Sequence, residues 1–276
     1  MHLDSSFNYL RPFKTDLVRV GPKGDGGYVV PKDVSSSTKS LYSVGISTNW
    51  DFEIGLTKLN PNLSIWAFDR TSGWTVFGFI AFRDLLKGDP SVFGRQPFTE
   101  RLSSFRKYTL LCIRFRTFFR GHRQFDRKWV RKFQSGSDAV SFSETFAKAL
   151  ASGSLLLKMD IEGGEYELSD DLILSLRENH QRVNCIVMEL HDTYEKRDEF
   201  ERLVKGISEF LPIVHIHANN CAGVAPDGLP EVVEITFSRA TKEQGDLVFP
   251  LTHLDYPNDR DLPDIAFSFS TTNDNL

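Results

Sequence analysis

The sequence predicts an α/β protein with a doubly wound, mostly parallel sheet. Short apolar runs of strand length alternate with amphipathic stretches of helical period, and polar residues follow several of these runs. The chain has 276 residues, of which 40% are hydrophobic and 25% are charged, so it can bury one large core. Its three cysteines are far apart, so neither a disulfide framework nor a Cys-rich zinc site is expected.

The first third of the chain has the order of a Rossmann-like unit: strand, helix, strand, and then an acid at the end of the second strand. A Gly-rich turn between two short extended pieces precedes this unit. The predicted elements are, in order, extended pieces in Arg19–Pro31, a Ser-rich loop over Ser35–Ser40, a strand over Leu41–Ile46, a helix ending at Asn60-Pro61, and a strand over Leu63–Phe68 that is followed by Asp69.

The alternation breaks over about 72–134, where the sequence is aromatic and basic. Between Arg101 and Lys132 there are eleven Lys or Arg residues and one acid, so this stretch carries about +10 and the rest about −14. Apolar residues recur there at helical spacing, which predicts a basic, mostly helical insertion. We expect a single domain over 1–276, with an N-terminal extension over 1–39, this insertion, and a polar, frayed tail over about 261–276.

The α/β alternation then resumes and continues to the end of the predicted sheet. Ser141 and Glu144 have the spacing of a capping box at the start of a helix. The predicted elements are a short strand over Ala139–Phe142, a helix to Leu150, a strand over Leu155–Met159, a helix over Asp170–Asn179, a strand over Val183–Leu190, an amphipathic helix from Tyr194 to Phe210, and strands over Pro212–His217 and Val232–Phe237.

Candidate functional residues follow the predicted strands, because ligands of open α/β sheets bind outside the carboxyl ends of the strands. They are Gly45 and Ser47, Asp69, Asp160 and Glu162, Glu189 and His191, and His215, His217 and Asn219. Gly45 permits a close backbone approach to a nucleoside, and no G-x-G-x-x-G motif supports a pyrophosphate. Asp69 is placed to accept both ribose hydroxyls, or alternatively to cap a turn.

The segment LLLKMDIEGGEYE (Leu155–Glu167) is the most informative one. Lys158, Asp160 and Glu162 share one face if the strand extends that far, and two glycines then turn the chain. Carboxylates at such a position can act as a general base, ligate a metal, or bind a cationic group of a cofactor. The alternative is a solvated acidic turn.

This segment resembles the FkbM-type S-adenosylmethionine-dependent methyltransferases. Their signature, an apolar strand followed by Lys-Ile-Asp-Val/Ile-Glu-Gly-Ala/Gly-Glu, is matched over Lys158–Glu165. Further matches are Phe68-Asp69, Val187–His191, and the Val20-Gly21 and Asp25–Tyr28 start found in a subgroup that resembles animal methyltransferase-like proteins. The first turn departs from the family, with Val-Gly-Ile-Ser-Thr-Asn in place of Val-Gly-Ala-Asn-x-Gly. The resemblance implies a class I methyltransferase fold with a seven-stranded sheet, and O-methylation of a sugar or natural product.

The candidate residues take the following roles under this interpretation. Cofactor-binding residues are Ser43, Gly45, Ser47, Phe68, Asp69 and Asp160; catalytic residues are Asp160, Glu162, His191 and His217; substrate-binding residues are Lys158, Glu189, His215 and Asn219. A neutral hydroxyl must lose its proton during methyl transfer, so histidine with a carboxylate suits the base role. Alternatively, Asp160, Glu162 and His191 hold Mg²⁺ or Mn²⁺. For any one of these histidines, a structural role is equally consistent with the sequence.

The expected partner is a hydroxylated acceptor, a saccharide or an anionic glycolipid that contacts the basic insertion at 101–132. The alternative for this insertion is a solvated lid whose aromatic side chains pack on the domain. No apolar run is long enough to cross a membrane and no signal peptide is evident, so we expect a cytoplasmic protein with peripheral contact at the inner membrane surface. Alternative functions are a metal-dependent nucleotide-sugar glycosyltransferase and a nucleic-acid-binding methyltransferase, although the acidic net charge disfavours nucleic acid.

Overall fold

The computed structural model describes residues 1–87, 97–134, 136–239, 241 and 243–270. The strands are β1 (Leu17–Val20), β2 (Tyr28–Pro31), β3 (Ser40–Val44), β4 (Ser64–Phe68), β5 (Arg123–Asp126), β6 (Trp129–Arg131), β7 (Ala139–Ser141), β8 (Leu155–Met159), β9 (Val183–Leu190), β10 (Ile213–Ala218), β11 (Val233–Ser238), β12 (Val248–Phe249) and β13 (Phe267–Ser268). The α-helices are α1 (Lys32–Ser37), α2 (Asp51–Leu59), α3 (Trp74–Lys87), α4 (Phe98–Phe118), α5 (Phe142–Ala151), α6 (Ser169–Asn179) and α7 (Arg197–Ser208), and short 3-10 helices span Ser5–Leu10 and Glu165–Leu168.

The main sheet has seven strands in the order β10-β11-β9-β8-β3-β4-β5. Strands β5, β4, β3, β8 and β9 are parallel to one another, and β11 is antiparallel to both β9 and β10. The chain moves outward from β3 to β5 and then returns to β8 on the other side of β3. This sheet confirms the predicted Rossmann-like fold class, and it puts the topological switch point between β3 and β8.

Helices and loops cover both faces of this sheet, so the fold is doubly wound. One core joins the sheet to α5, α6 and α7, through side chains such as Phe146, Leu172 and Phe200. The other core joins it to the β1–β2 hairpin and to α2, α3 and α4, through side chains such as Tyr28 and Phe115. Strands β3, β8 and β10 are buried along their whole length, as expected for strands covered on both faces.

Most predicted elements form where the sequence placed them, and strands Leu155–Met159 and Val183–Leu190 match to the residue. The Ser-rich loop prediction was wrong, because Lys32–Ser37 is helical. Ser141 is the N-cap of α5, but its side chain makes no capping hydrogen bond, so the predicted capping box is not formed. The tail is not frayed up to residue 270, since Phe267 and Phe269 are buried; residues 271–276 lie outside the described residues.

The range 72–134 contains a helical hairpin and also a strand of the main sheet. Helices α3 and α4 pack against each other, and β5 follows them as the edge strand beside β4. An aromatic cluster attaches the hairpin to the domain: the ring of Trp50 stacks on Phe77 at 6.1 Å between centroids and meets Phe115 edge-on at 5.4 Å. Phe115 and Phe118 are buried in this cluster, so they pack on the domain. Among the described helices, none is long and apolar enough to span a membrane.

Candidate active site

A cavity of about 660 Å³ lies at the carboxyl ends of β3, β4 and β8, next to the switch point. It contains six of the residues predicted from sequence: Gly45, Ser47, Phe68, Asp69, Asp160 and Glu162. The opposite wall comes from the segment Lys128–Arg131, which belongs to the basic insertion over 101–132, and the two glycines after Glu162 complete the rim. The position and size of this cavity are those of a cofactor site.

The backbone approaches most closely where β3 ends against the end of β8. Gly45 has a φ of 78°, and its N–H donates to the carbonyl oxygen of Phe68 at 3.0 Å. An ideal Cβ at Gly45 would lie 1.6 Å from the carbonyl oxygen of Asp160. Only glycine fits both the conformation and the space, so the floor of the cavity depends on this residue.

Asp69 holds the two loops that form one side of the cavity. Its Oδ2 accepts from the backbone N–H groups of Ile46 at 3.0 Å and Ser47 at 2.7 Å. Its Oδ1 accepts from the N–H and hydroxyl groups of Thr71, both at 2.7 Å, and from the N–H of Ser72 at 3.1 Å. Because both oxygens are occupied, Asp69 ties the turn after β3 to the turn after β4. This geometry corresponds to the turn-capping alternative rather than to a free ribose acceptor.

Lys158, on β8, and Asp160, directly after it, lie side by side, but the strand ends at Met159 and does not extend to Glu162 as the shared-face prediction required. The Lys158 ammonium donates to the carbonyl oxygen of Gly45 and lies 3.4 Å from Oδ2 of Asp160. The Tyr28 hydroxyl donates to the same oxygen at 3.1 Å. Burial opposes the charge of Lys158, but Asp160, Glu53 and Glu189 together raise the pKa of its ammonium. Lys158 is thus a buried cation that fixes the cavity floor, and it does not line the cavity.

The turn after β8 is closed by the last acid of the signature. Glu165 is buried, and its Oε1 accepts from the backbone N–H of Ile161 at 2.8 Å. Glu162 has a φ of 55° and its side chain is 87% exposed, so it lies at the rim of the cavity. The signature therefore supplies a buried cation, a carboxylate at the floor, an exposed carboxylate and a buried turn-closing carboxylate.

Behind Asp160, Glu189 and His191 form a polar cluster at the end of β9. The Nε2 atom of His191 lies 3.4 Å from Oε1 of Glu189, and Asn219 donates to that oxygen at 3.0 Å. Burial, with Asp160 and Glu234 nearby, raises the pKa of Glu189 to about 7, although His191 acts against this. Burial opposes the charged form of His191, but Glu165 and Glu189 outweigh it and raise its pKa to about 10. His191 is consequently protonated at neutral pH, which does not suit the predicted base role.

The potential metal ligands differ from the predicted set. Asp160, Glu189 and His191 offer ligand atoms that all lie within 4.8 Å of one another. Glu162 belonged to the predicted set, but its carboxylate is largely exposed at the rim and is not one of this group, although its Oε2 lies 3.4 Å from Nε2 of His191. Two carboxylates and an imidazole are suitable donors for Mg²⁺ or Mn²⁺. Lys158 and the protonated His191 already balance the charges of these two carboxylates.

Three further predicted residues lie outside the cavity lining, its floor and the polar cluster behind it. Ser43 is buried and donates to Oε1 of Glu53 at 2.6 Å, so it does not contact the cofactor space. His215 lies 2.9 Å from Oδ1 of Asp255 in the core. The ring nitrogens of His217 face Glu234 at 3.4 Å and Asp264 at 3.2 Å, and these carboxylates raise the pKa of His217 to about 10 against the effect of burial. His215 and His217 are therefore structural histidines here.

No protein-family model and no curated protein sequence matches the chain. Solved structures that are similar to it include a fibrillarin pre-rRNA processing protein from Methanococcus jannaschii, with 9% identity, a TM-score of 0.37, and coverage of 75% of this chain and 69% of that one. A putative methyltransferase from Thermoplasma acidophilum has 10% identity, a TM-score of 0.31, and coverage of 75% and 70%. The precorrin-6y C5,15-methyltransferase of Geobacter metallireducens has 12% identity, a TM-score of 0.29, and coverage of 74% and 81%. Likenesses this distant assign no activity to the chain.

Sequence reasoning missed the residues that reach the site from other elements. Tyr28, from the hairpin β1–β2, and Glu53, from α2, surround the Lys158–Asp160 pair. Tyr28 belongs to the Asp25–Tyr28 motif, so the sequence did single out this residue. Its contact with Asp160, at the end of β8, could not be predicted from the sequence. Glu53 looked like an ordinary acid in the first turn of a helix, and only the fold reveals its burial against Ser43.

Proposed function

We propose that this chain is an S-adenosylmethionine-dependent O-methyltransferase that acts on a hydroxyl of a saccharide, a glycolipid or a similar polyhydroxylated acceptor. The observation that carries the proposal is the 660 Å³ cavity at the switch point, with the close backbone approach at Gly45 and the carboxylate of Asp160 at its floor. The signature over Lys158–Glu165 supports membership of the FkbM-type family, since its charged residues together build this floor and its rim.

The residues around the cavity fit S-adenosylmethionine better than a nucleotide-sugar. Apolar side chains such as Val44, Phe68 and Ile161 offer surface to a purine, and the carboxylate of Glu162 at the rim suits the cationic end of the cofactor. A diphosphate would need free cations instead. The three basic residues of the lining each pair with a carboxylate: Arg70 with Asp138, Lys128 with Asp126, and Arg131 with Glu167.

When bound, the cofactor supplies an electrophilic methyl group on a sulfonium, which an acceptor oxygen attacks as its proton leaves. Asp160 is the member of the polar cluster that lines the cavity, and it therefore takes the proton-accepting role in our proposal. Tyr28 and Lys158 hold its carboxylate in place. Glu189, with a pKa of about 7, lies close enough to receive the proton in turn, and His191 acts as a positioning residue.

Calorimetry of the full chain tests the cofactor. We expect S-adenosylhomocysteine to bind with an affinity on the order of micromolar and UDP-glucose and a single-stranded oligonucleotide not to bind. Trp129 lines the cavity and Trp74 does not, although both rings are partly exposed and carry an arginine guanidinium. We expect Trp129→Ala to weaken binding about tenfold and Trp74→Ala to leave it unchanged. Nucleotide-sugar binding without S-adenosylhomocysteine binding would refute the proposal.

Turnover tests the chemistry. Transfer of labelled methyl groups from S-adenosylmethionine to a glycan and glycolipid extract should fall at least about a hundredfold in Asp160→Ala, with a much smaller change in cofactor affinity. Asp198→Ala removes an exposed acid of α7 and should leave turnover unchanged. Because the cations Lys158 and His191 already lie beside the carboxylates of Asp160 and Glu189, we expect turnover to be unchanged by EDTA. Loss with EDTA and recovery with Mg²⁺ or Mn²⁺ would instead assign a metal to Asp160, Glu189 and His191.

A further inference from the structure

Helices α3 and α4 present large apolar side chains to solvent. On α3, Phe79 is 68% exposed, Phe82 is 61% exposed and Leu86 is 58% exposed; on α4, Leu110 is 66% exposed and Ile113 is 55% exposed. These positions recur at three- and four-residue spacing, so on each helix they form one stripe. Together with Arg106, Lys107, Arg116 and Arg120, these five residues are named the outward hairpin face.

The exposed side chains are not needed to attach the hairpin to the domain. The inward sides of the two helices carry Phe77, Ala81, Phe115 and Phe118, which are buried. The helices are held together by polar contacts as well, since Ser104 donates to Oδ2 of Asp84 at 2.6 Å and Arg101 donates to backbone carbonyls of α3. Each helix therefore has a packed inner side and a second, unpartnered apolar stripe outside.

The outward hairpin face is also basic. Arg106, Lys107, Arg116 and Arg120 are exposed, and among the residues that the structure describes none of them forms an ion pair. The antiparallel contacts of the helices, such as that of Cys112 with the Trp74 carbonyl, put Phe79 near the level of Lys107. On α4, the exposed side chains of Leu110 and Ile113 thus alternate with unpaired cations, and Phe79 and Phe82 are exposed on the neighbouring helix. Such a surface is unusual for a protein that contacts water alone.

The chemistry of this face favours one partner. Bases could stack on Phe79 and Phe82, but the other three apolar side chains of this face, Leu86, Leu110 and Ile113, have no planar group, which disfavours single-stranded nucleic acid. A second copy of the chain would bring the same four cations against each other in a symmetric contact. An anionic lipid surface satisfies both properties, because apolar side chains enter the acyl boundary while lysine and arginine contact the headgroups.

We propose that the outward hairpin face docks on the surface of an anionic lipid bilayer. The helices lie along the interface, with Phe79, Phe82 and Leu110 inserted and the basic residues at headgroup level. This docking does not depend on the proposed methyl transfer, because it uses no residue of the cavity lining.

Vesicle flotation with the full chain tests the proposal without any cofactor. We expect binding to vesicles of phosphatidylcholine with phosphatidylglycerol, at least about tenfold weaker binding to phosphatidylcholine alone, and weakening of the binding as salt is raised. The double variants Phe79→Ser/Phe82→Ser and Arg106→Glu/Lys107→Glu should each reduce binding about tenfold or more.

Matched controls lie on the opposite side of the sheet. Leu174 on α6 is 52% exposed and Lys148 on α5 is exposed, so Leu174→Ser and Lys148→Glu remove an exposed apolar and an exposed basic side chain elsewhere. Both should bind vesicles like the wild type, and circular dichroism checks that every variant is folded. Equal loss in the controls, or no binding to anionic vesicles, would overturn the proposal. Oligonucleotide binding or a dimer that is lost in the hairpin variants, with vesicle binding unaffected, would also overturn it.

Discussion

At the scale of single residues, Gly45 is the position with the least freedom. A methyl group there would meet the carbonyl oxygen of Asp160, and the φ of 78° is itself unfavourable for alanine. We expect Gly45→Ala to lower the free energy of unfolding by at least about 3 kcal/mol, because β3 and β8 must separate. Gly78→Ala is the control, since an added Cβ there meets nothing within 4 Å and the residue is helical. Urea unfolding compares the two, and equal stability of the two variants would contradict the packing described.

Asp69 distinguishes a loop-holding role from a ribose-binding role. If its five hydrogen bonds hold the turns after β3 and β4, Asp69→Ala should weaken S-adenosylhomocysteine binding and also lower the melting temperature, by about 3–6 °C. Calorimetry and thermal unfolding are measured on the same samples. Loss of affinity at an unchanged melting temperature would point to direct contact with the ribose. Asp16→Ala, at an exposed aspartate of the N-terminal region, should change neither quantity.

The raised pKa of His191 makes stability depend on pH. Its folded pKa of about 10 exceeds its ordinary value of about 6.5, so the stabilisation is complete below pH 6.5 and is lost as the pH rises towards 10. Glu189 acts in the same direction at lower pH, since its pKa of about 7 means that ionisation between pH 4.5 and 7 costs stability. His191→Gln should therefore lower the melting temperature most near pH 6, by about 5 °C, and least near pH 10. A difference that is constant with pH would contradict this assignment, and exposed His122→Gln is the control.

The sequence predicted the site where its residues are close along the chain. Lys158, Asp160 and Glu165 come together because a strand and a tight turn leave few alternatives for their side chains. The contacts of His217 could not be foreseen in the same way, because Asp264 belongs to a distant loop. The periodicity of a sequence specifies the face of a strand or helix on which a residue lies. The residue that its side chain contacts, however, depends on tertiary packing.

At the scale of elements, buried strands were predictable and weakly apolar elements were not. The apolar run VNCIVMEL has the length of a buried strand and is short for a helix, and it forms β9 as predicted. The edge strand β5 has the sequence RQFD and is only partly buried, so nothing in its composition separated it from the basic insertion. Helix α1 was missed because serines favour turns, and here the β2 strand and the packing of Val34 override that preference.

Aromatic rings attach the helical hairpin to the domain through its inner side only. Substitutions on the inner and outer sides of α3 should therefore differ in their effect on stability. Phe77 is buried and stacks on Trp50, so Phe77→Ala should lower the free energy of unfolding by about 3–5 kcal/mol. Phe79, two residues away, is exposed, and Phe79→Ala should change it by less than about 0.5 kcal/mol. Urea unfolding measures both values. A similar cost for the two variants would mean that Phe79 is covered in solution.

At the scale of the whole molecule, charge is segregated between the hairpin region and the rest of the chain. The stretch over 101–132 carries about +10 within a protein of formal net charge −4, and the candidate active site gathers buried acids instead. The basic side chains nearest the cavity are paired with carboxylates, whereas those of the outward hairpin face are not. The two surfaces therefore differ in chemistry, and cofactor binding and membrane docking can be tested separately.

Binding at the cavity should stabilise the whole fold, because the cavity joins β3, β4, β8 and the segment Lys128–Arg131. A ligand that binds only the folded state at about 100 times its Kd adds about 2.7 kcal/mol. For a domain of this size that corresponds to an increase in melting temperature of about 5–10 °C with S-adenosylhomocysteine. Thermal unfolding monitored by circular dichroism measures the shift, and Trp129→Ala should require about tenfold more ligand for the same shift whereas Trp74→Ala should not. An equal shift with adenosine at the same concentration would show that the cavity recognises the nucleoside alone, without the amino acid end that Glu162 at the rim is proposed to bind.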